Sequence, residues 1–331
     1  MIGVIGGGSW ATAIVKILLE NNATHINWWV RSEETCKEIQ RSGHNPRHLT
    51  KTALDSKRIQ VSTHLADIVE KSDMLFLAVP SAYLHSVLSQ IQPSLLHAKK
   101  IVSAIKGSVT EYCLSVSMYL EQILGVAKHN IGLISGPSHA EEVGCGLHTF
   151  LTIASTNDEL SHEVEQALHC PYIHTSLSSD IDGIERCGLG KNIYAIAAGI
   201  CQGLGYGDNL NAVLTLAAAR EMRQLMDTFI PYPQRDFDVP CYFGDLMVTC
   251  WSPHSRNRRL GEMIARGKSL EEAAASIGTL PEGYYSVNTL HKRAESLRSE
   301  APIPIVEAIY RILYEESDPR SEMDYLIEHV F

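Results

Sequence analysis

The stretch that decides the fold lies at the start of the chain and reads Ile2-Gly3-Val4-Ile5-Gly6-Gly7-Gly8-Ser9-Trp10-Ala11. A short β-branched run leads into G-x-G-x-x-A, and a helix-like segment follows. In such a motif Gly6 permits a tight turn, Gly8 lets the backbone approach a pyrophosphate, and Ala11 lets helix and strand pack closely. The pyrophosphate lies at the helix N-terminus, where free N–H groups favour negative charge. This context predicts a dinucleotide-binding turn rather than an ordinary glycine turn.

Beyond the glycine motif, the pattern of residue types along the chain changes near residue 184. Seven strand candidates precede this point: Ile2–Ile5, His25–Val30, Gln60–Thr63, Met74–Ala78, Ile101–Ala104, Ile131–Ile134 and Phe150–Ala154. Helix-like segments separate several of them, and this alternation is typical of a parallel sheet covered on both faces. Beyond Ile184, long segments rich in Ala, Leu, Ile and Met replace the strand runs. We predict a Rossmann-like α/β domain with a parallel-rich sheet over residues 1–183 and an all-helical domain over residues 184–331.

Composition narrows the class of protein. The chain has 331 residues and a formal net charge of −10, which argues against a protein that coats nucleic acid or anionic lipid. A small anionic ligand needs only a local cluster of cations. Eight scattered cysteines form no CxxC pair, so a structural metal site has little support. Neither a signal peptide nor an 18-residue apolar run is present, and we expect a cytoplasmic protein without a membrane span.

The second strand candidate bears on the choice of cofactor. An acidic residue is expected just after it to bind the ribose hydroxyls of NAD, but the chain reads Trp28-Trp29-Val30-Arg31-Ser32. An arginine at this position accommodates the 2′-phosphate of NADP. The competing interpretation is a solvated arginine at a strand end, so both NAD and NADP stay open.

Three polar segments stand out against apolar surroundings. Lys106 follows a strand candidate, at the sheet edge where open α/β folds bind ligands. The segment Ser135–Glu142, SGPSHAEE, also follows a strand and leads into a helix start. Lys191 lies within an apolar helix-like run, where burial lowers the pKa of a lysine towards neutrality and suits it for proton transfer. The alternative for Lys191 is a surface lysine with a snorkelling side chain.

A fourth segment supplies the local positive charge that the acidic chain otherwise lacks. Ser255-Arg256-Asn257-Arg258-Arg259 places three arginines within four positions, and arginine binds phosphate through paired hydrogen bonds. At helical spacing Arg256 and Arg259 share a face and Arg258 points elsewhere, so one ligand is not expected to engage all three. Asp245, just upstream, either orients Lys191 or balances charge.

Together these segments resemble a known family. GGGSWATAI, the KG at Lys106, SGPSHAEE, KNIYAIAAGI, FGDLMVTC and SPHSRNRRLG are similar, in this order, to bacterial glycerol-3-phosphate dehydrogenase [NAD(P)+]. The resemblance covers residues 1 to about 262 and continues weakly through Pro281-Glu282-Gly283. It implies a Rossmann-like domain followed by a helical domain, and reversible reduction of dihydroxyacetone phosphate to sn-glycerol 3-phosphate by NAD(P)H. It further implies a supply route to glycerophospholipid synthesis and, commonly, a homodimer.

The resemblance also implies roles for individual residues. Lys191 is the implied catalytic proton donor. The implied cofactor contacts are Gly6, Gly8, Ser9, Trp10, Arg31, Lys106, Ala140, Arg256 and Glu282. The implied substrate contacts are Lys106, Gly136, Ser138, Lys191, Asp245, Ser255, Arg256 and Asn257, with Thr249 as a further candidate. The partner is then a small phosphorylated substrate and not nucleic acid, and no metal is implied.

Some segments depart from the family pattern. The usual Thr-Arg-Gly is replaced by Leu216-Ala217-Ala218, and Arg220 lies three positions beyond the expected arginine. The approach to Asp245, Pro231–Phe237, lacks the usual glycines. Two other functions stay open: a two-domain NAD(P)-dependent dehydrogenase of a hydroxy acid or sugar-acid phosphate, and a silent NAD(P)-sensing protein.

Overall fold

The first half of the chain builds one eight-stranded, mostly parallel sheet. The computed structural model describes residues 1–21, 25–296 and 302–331. The strands of this sheet are β1 (Ile2–Ile5), β2 (Ile26–Trp29), β3 (Ile59–Ser62), β4 (Met74–Leu77), β5 (Lys100–Ser103), β8 (Ile131–Ser135), β9 (Thr149–Ser155) and β10 (Ile173–Ser178). Their order is β3-β2-β1-β4-β5-β8-β9-β10, and neighbours are parallel except for β8 and β9.

The strand order reverses between β1 and β4, and this position locates the ligand edge. Ile5 pairs in register with Trp29 on one side and Leu77 on the other, so the carboxyl ends of three strands lie level. In an open α/β sheet, ligands bind beyond the carboxyl ends at such a reversal. The glycine motif directly follows β1 and therefore lies at that edge.

Seven helices belong to the sheet unit. They are α1 (Ser9–Glu20), α2 (Glu33–Ser42), α3 (Leu65–Glu70), α4 (Ser81–Leu88), α5 (Val116–Gln122), α6 (Ala140–Gly144) and α7 (Asp158–Leu168). The central strands β2 and β4 are buried along their whole length, as expected for strands covered on both faces. The predicted parallel-rich α/β architecture is confirmed.

Three strands were absent from the sequence prediction. Two are the short β6 (Ser108–Val109) and β7 (Leu114–Ser115), each only two residues long. The third, β10, reads IHTSLS and is partly exposed at the sheet edge, so it lacks the apolar run by which we identified the other strands. All seven predicted strands are present, with ends shifted by at most one residue.

The second compact unit consists of Lys106–Cys113 and Asp182–Phe331, whereas Met1–Ile105 and Leu114–Ile181 form the first. Its helices are α8 (Ile181–Leu204), α9 (Gly207–Phe229), α10 (Asp245–Trp251), α11 (Arg256–Ala265), α12 (Leu270–Ile277), α13 (Glu282–Ser296), α14 (Pro304–Tyr314) and α15 (Pro319–His329). The helical character is confirmed, and the domain boundary after residue 183 stays a prediction. In the described part of the chain, no helix combines the length and apolarity that a membrane crossing requires.

Gly6 is the backbone position on which the turn after β1 depends. Its φ is +137°, and a Cβ atom there would lie 2.4 Å from the carbonyl oxygen of Ala78. We expect Gly6→Ala to lower the free energy of unfolding by at least about 2 kcal/mol, because it combines a strained φ with a backbone clash. Urea unfolding of the purified protein measures the change.

Gly7→Ala is the matched control for that substitution. A Cβ at Gly7 meets its nearest atom, on Val30, at 3.4 Å, which is ordinary van der Waals contact. We expect a loss below about 1 kcal/mol. Equal losses for the two variants would contradict the role assigned to Gly6.

Candidate active site

Side chains from outside the motif fix the glycine turn. The Trp28 indole Nε1 donates to the Gly6 carbonyl at 2.6 Å, and the Asn45 amide Nδ2 donates to the Gly7 carbonyl at 3.0 Å. Asn45 also donates to the Thr12 hydroxyl at 2.9 Å. Because these carbonyls are already paired, the turn has a defined shape in the protein alone.

The start of α1 is free to bind an anion. Its N-cap residue, Gly8, supplies no side-chain cap, and the first turn carries no acidic residue. The Ser9 hydroxyl lies 3.5 Å from Nδ1 of His48. The Trp10 indole Nε1 is buried without a hydrogen-bond partner in the described part of the chain. A helix N-terminus with open N–H groups and an unused buried donor fits a pyrophosphate-containing cofactor.

Arg31 lies where a cofactor ribose is expected, just beyond β2, and its side chain is exposed. The neighbouring acids of α2 have other partners. Glu33 accepts a hydrogen bond from Thr63, and Glu34 forms an ion pair with Arg47 at 2.7 Å. In the described residues no ion pair involves Arg31, so its guanidinium is available to an anion.

The loop after β8 holds the next group of predicted residues. Gly136 has φ +138°, and a Cβ atom there would lie 2.3 Å from the Phe150 carbonyl oxygen. Ser138 donates from its hydroxyl to the Gly136 carbonyl at 2.9 Å, which closes the loop on itself. Ala140 is buried and begins α6, which packs against α1. Backbone N–H groups of this loop therefore lie in the same compact unit as the glycine turn.

The helical unit contains a buried carboxylate between two ammonium groups. Asp245 Oδ2 lies 2.8 Å from Lys106 Nζ, and Asp245 Oδ1 lies 2.6 Å from Lys191 Nζ. Lys191 also donates to the Thr249 hydroxyl at 3.2 Å. The side chains of Lys191 and Asp245 are only 5% and 2% exposed. Lys191 is therefore a buried lysine and not a snorkelling one, and Asp245 contacts it directly.

Burial and charge set the protonation of this triad. Burial lowers the pKa of Lys191 to about 8, although Asp245 opposes the shift and Lys106 adds to it. Burial alone would raise the pKa of Asp245, but the two ammonium groups outweigh that effect and keep the pKa below its usual value. At neutral pH the triad is therefore an ionised carboxylate with a lysine that can give up a proton.

The donors of Lys191 are only partly used. An ammonium group has three N–H donors, and Asp245 and Thr249 accept two of them. The Thr249 hydroxyl in turn donates to the backbone carbonyl of Asp245, so its oxygen faces Lys191 as an acceptor. Among the described residues Asp245 and Thr249 are the acceptors of Lys191, which leaves its third N–H for a further acceptor.

A chain of amide hydrogen bonds frames the triad. Asn192 Nδ2 donates to the Lys106 carbonyl at 2.8 Å, and Asn257 Nδ2 donates to Asn192 Oδ1 at 2.9 Å. Asn257 Oδ1 accepts from the Gly283 N–H at 2.9 Å. These three hydrogen bonds therefore link four separate segments of the chain around Lys106.

Arg256 and Arg258 differ in exposure and in hydrogen-bond partners, and the shared face of Arg256 and Arg259 stays a prediction. Ser255 caps α11 by accepting from the Arg258 N–H at 3.2 Å, and Arg256, the first residue of the helix, is exposed. The Arg258 guanidinium donates to Gln202 Oε1 at 3.2 Å. Glu282 begins α13 and is half-buried beside Gly283.

Asn45 was missed in the sequence, and Asn192 was noted only as the neighbour of Lys191, without its role in the hydrogen-bond chain. Asn192 follows Lys191 directly, and Asn45 lies in HNPRH between α2 and β3. Their roles depend on partners 86 and 38 residues away in the chain, Lys106 and Gly7 respectively. The only local signal is a polar residue at a position that proves buried.

Comparison with known proteins agrees with this arrangement. The models of the NAD-dependent glycerol-3-phosphate dehydrogenase N-terminus and C-terminus match residues 1–161 and 180–324. The chain is 34% identical over 327 residues to glycerol-3-phosphate dehydrogenase [NAD(P)+] 1 of Salinibacter ruber, covering 98% of this chain and 94% of that protein. It is 33% identical to the Syntrophotalea carbinolica protein named glycerol-3-phosphate dehydrogenase [NAD(P)+], with 99% and 97% coverage.

Solved structures give the same result. The crystal structure of glycerol-3-phosphate dehydrogenase from Coxiella burnetii superposes with a TM-score of 0.91 at 30% identity. The match covers 99% of this chain and 98% of that one.

The amide chain around Lys106 leads to a stability prediction. Asn192→Leu would leave the Lys106 carbonyl and the Asn257 amide without their partner. We expect the free energy of unfolding to fall by about 2 to 3 kcal/mol, because buried unsatisfied polar groups are costly. Urea unfolding measures this. Asn209→Leu, at an exposed position of α9, is the control and should change stability by less than about 0.5 kcal/mol; similar losses would count against the network.

Proposed function

The chain belongs to the NAD-dependent glycerol-3-phosphate dehydrogenase family, and we propose how its own residues perform that reaction. It is an NAD(P)-dependent oxidoreductase that reversibly reduces dihydroxyacetone phosphate to sn-glycerol 3-phosphate. The single observation that carries the proposed mechanism is the buried Lys106–Asp245–Lys191 triad.

We propose that the cofactor binds along the glycine turn. Gly6 and Gly8 admit the pyrophosphate, Ser9 and Trp10 contact it from the first turn of α1, and Arg31 faces the adenosine ribose. The open helix start and the unused indole N–H support this assignment. Further proposed cofactor contacts are Lys106, Ala140, Arg256 and Glu282.

The proposed substrate contacts are Gly136 and Ser138, in the loop after β8, together with Lys106, Lys191, Asp245, Ser255, Arg256 and Asn257. In this assignment the phosphate serves as a handle, because its contacts hold the carbonyl in one orientation during the reaction. The exposed Arg256 guanidinium at the start of α11 suits a phosphate, which it can bind through two parallel hydrogen bonds.

Lys106 and Lys191 have different proposed roles at the substrate carbonyl. When bound, the nicotinamide supplies the hydride. Negative charge then builds on the carbonyl oxygen, where the Lys106 ammonium stabilises it and Lys191 donates a proton through its remaining N–H. Asp245 holds both cations in place, and in the oxidation direction Lys191 accepts the proton instead.

We also propose a homodimer in the cytoplasm whose product feeds glycerophospholipid synthesis. All eight cysteines are free thiols, which supports a reducing compartment. No role for nucleic acid is proposed, because the net charge of −10 opposes it.

The first functional prediction concerns pH. Reduction needs a protonated Lys191, whose pKa is about 8, so kcat for dihydroxyacetone phosphate reduction should fall as pH rises through about 8. The kcat for glycerol 3-phosphate oxidation should rise over the same range. Oxidation of NADPH or NADH followed at 340 nm measures the first, and the reverse assay measures the second.

Lys191→Met tests whether the fall in kcat near pH 8 is due to Lys191. We expect kcat to fall by about 10³-fold and the limb near pH 8 to disappear, because the general acid is lost. Near-normal turnover would refute the role of Lys191, and no turnover of the unaltered protein with either nicotinamide would refute the function.

A second prediction concerns cofactor choice. Arg31→Ala should raise KM for NADPH by about tenfold, because a charge-assisted contact to the 2′-phosphate is lost, and should leave KM for NADH nearly unchanged. Arg41→Ala, at an exposed position of α2 paired with Glu38, is the control. A strong preference of the unaltered protein for NADH would contradict the proposal.

A further inference from the structure

The segment that leads into Asp245 has a built structure of its own. We call residues 230–244, between α9 and α10, the strap. This is the part of the chain that reads PYPQRDF where related sequences are expected to be glycine-rich. It ends in a π-helical turn, Pro240–Gly244, and α10 begins with Asp245 itself. π-Helical turns are rare and frequently lie at functional sites.

An aromatic and cationic cluster holds the strap. The Phe237 ring is buried and stacks against Phe243, with ring centroids 5.6 Å apart. The Arg223 guanidinium, from α9, lies 4.9 Å from the Phe237 centroid and 5.5 Å from the Phe243 centroid. Arg235, within the strap, lies 5.7 Å from the Phe237 centroid. Phe237 therefore contacts cations from two different segments, which is a favourable arrangement for a ring face.

The cluster is coupled to the start of α10 through the backbone. The Phe243 N–H donates to the Phe237 carbonyl at 3.4 Å, so the two rings and the π-helical turn form one unit. Gly244, the N-cap of α10, supplies no side-chain cap. Gly244 has helical φ and ψ of −61° and −44°, so the π-helical turn continues directly into α10 and the backbone of Asp245 is continuous with the strap.

The geometry of the triad makes that position critical. Each carboxylate oxygen of Asp245 serves a different lysine, at 2.8 Å and 2.6 Å. The carboxylate is on a short stem, whereas lysine side chains are long and flexible, so the backbone at Asp245 determines where both ammonium groups come to rest. A shift of α10 would therefore move both ammonium groups from their present positions.

We propose that Phe237, clasped by Arg223 and Arg235, is a positioning residue for Asp245 and through it for the two lysines. The proposal rests on the proposed function for its kinetic consequences. The strap then affects catalysis although none of its residues is a proposed substrate or cofactor contact.

The test compares ring-removing and ring-keeping variants. We expect Phe237→Leu to lower kcat for dihydroxyacetone phosphate reduction by about tenfold and to change KM by less than about threefold, because a misplaced acid slows the chemical step more than binding. Arg223→Met should act in the same direction with about a threefold loss. Phe237→Tyr keeps the ring and should retain activity within about twofold.

The pH profile separates positioning from general loosening. Withdrawal of Asp245 removes the group that raises the pKa of Lys191, so the descending limb of reduction should move to lower pH in Phe237→Leu. Tyr310→Leu is the control: its ring stacks on His291 and Tyr314 elsewhere in the helical unit. The control should leave the limb in place. An unmoved limb in Phe237→Leu, or an equal shift in the control, would overturn the proposal.

A substrate-free readout keeps the proposal separate from the proposed function. In protein labelled with ¹³C-lysine, the Lys191 ε-carbon is assigned by its loss in Lys191→Met and is titrated by NMR. We expect a lower pKa for it in Phe237→Leu than in the unaltered protein. If the protein fails to reduce dihydroxyacetone phosphate but this shift is present, the function is wrong and the positioning role stands. No shift overturns the role whatever the activity.

Discussion

The carboxylate of Asp245 is the constraint on which the rest of the helical unit depends. Two ammonium groups close together in a buried site repel each other strongly, and burial disfavours each charge further. One carboxylate, with an oxygen for each cation, makes the pair tolerable. The triad keeps a net charge of one positive unit, with Lys191 and Asp245 buried and the Lys106 side chain 21% exposed. Such a site attracts an anionic oxygen without any help from the acidic exterior, whose net charge is −10.

The role of the cations is clear from a second buried carboxyl in the same unit. Glu221, on α9, accepts hydrogen bonds from the N–H groups of Ile305 and Val306 at 2.8 Å and 3.1 Å, at the start of α14. Its pKa is raised to about 8 by burial, despite those two bonds. Asp245 is at least as buried, yet its pKa is lowered. At Glu221 the hydrogen bonds from two backbone N–H groups do not offset burial, whereas at Asp245 the two lysines do.

The sequence was most informative where chemistry is local. The glycine turn could be predicted because its requirement is a backbone shape: at Gly6 a side chain would strike Ala78, and no other residue type meets that need. Lys191 could be singled out because a lysine in an apolar helix is conspicuous by itself. Asn45 and Asn192 could not, since an asparagine gives no sign of which distant carbonyl it will meet. The edge strand β10 was missed for a related reason, because its partial exposure removes the apolar pattern.

The position of Lys106 in the chain explains how one cation of the triad comes from the first half of the sequence. It follows β5 by three residues, yet the segment Lys106–Cys113 belongs to the same compact unit as α8 and α10. The chain leaves the eight-stranded sheet after β5 and returns to it at β8. Asn192 holds this connecting segment in place, because its side chain donates to the Lys106 backbone carbonyl. Its neighbour Lys191 binds the Asp245 carboxylate, which also binds the Lys106 side chain. The main chain of Lys106 is therefore held by Asn192 of α8 and its side chain by Asp245 of α10, the same carboxylate that Lys191 binds. The two ammonium groups and the carboxylate are consequently joined by contacts that all lie within the helical unit.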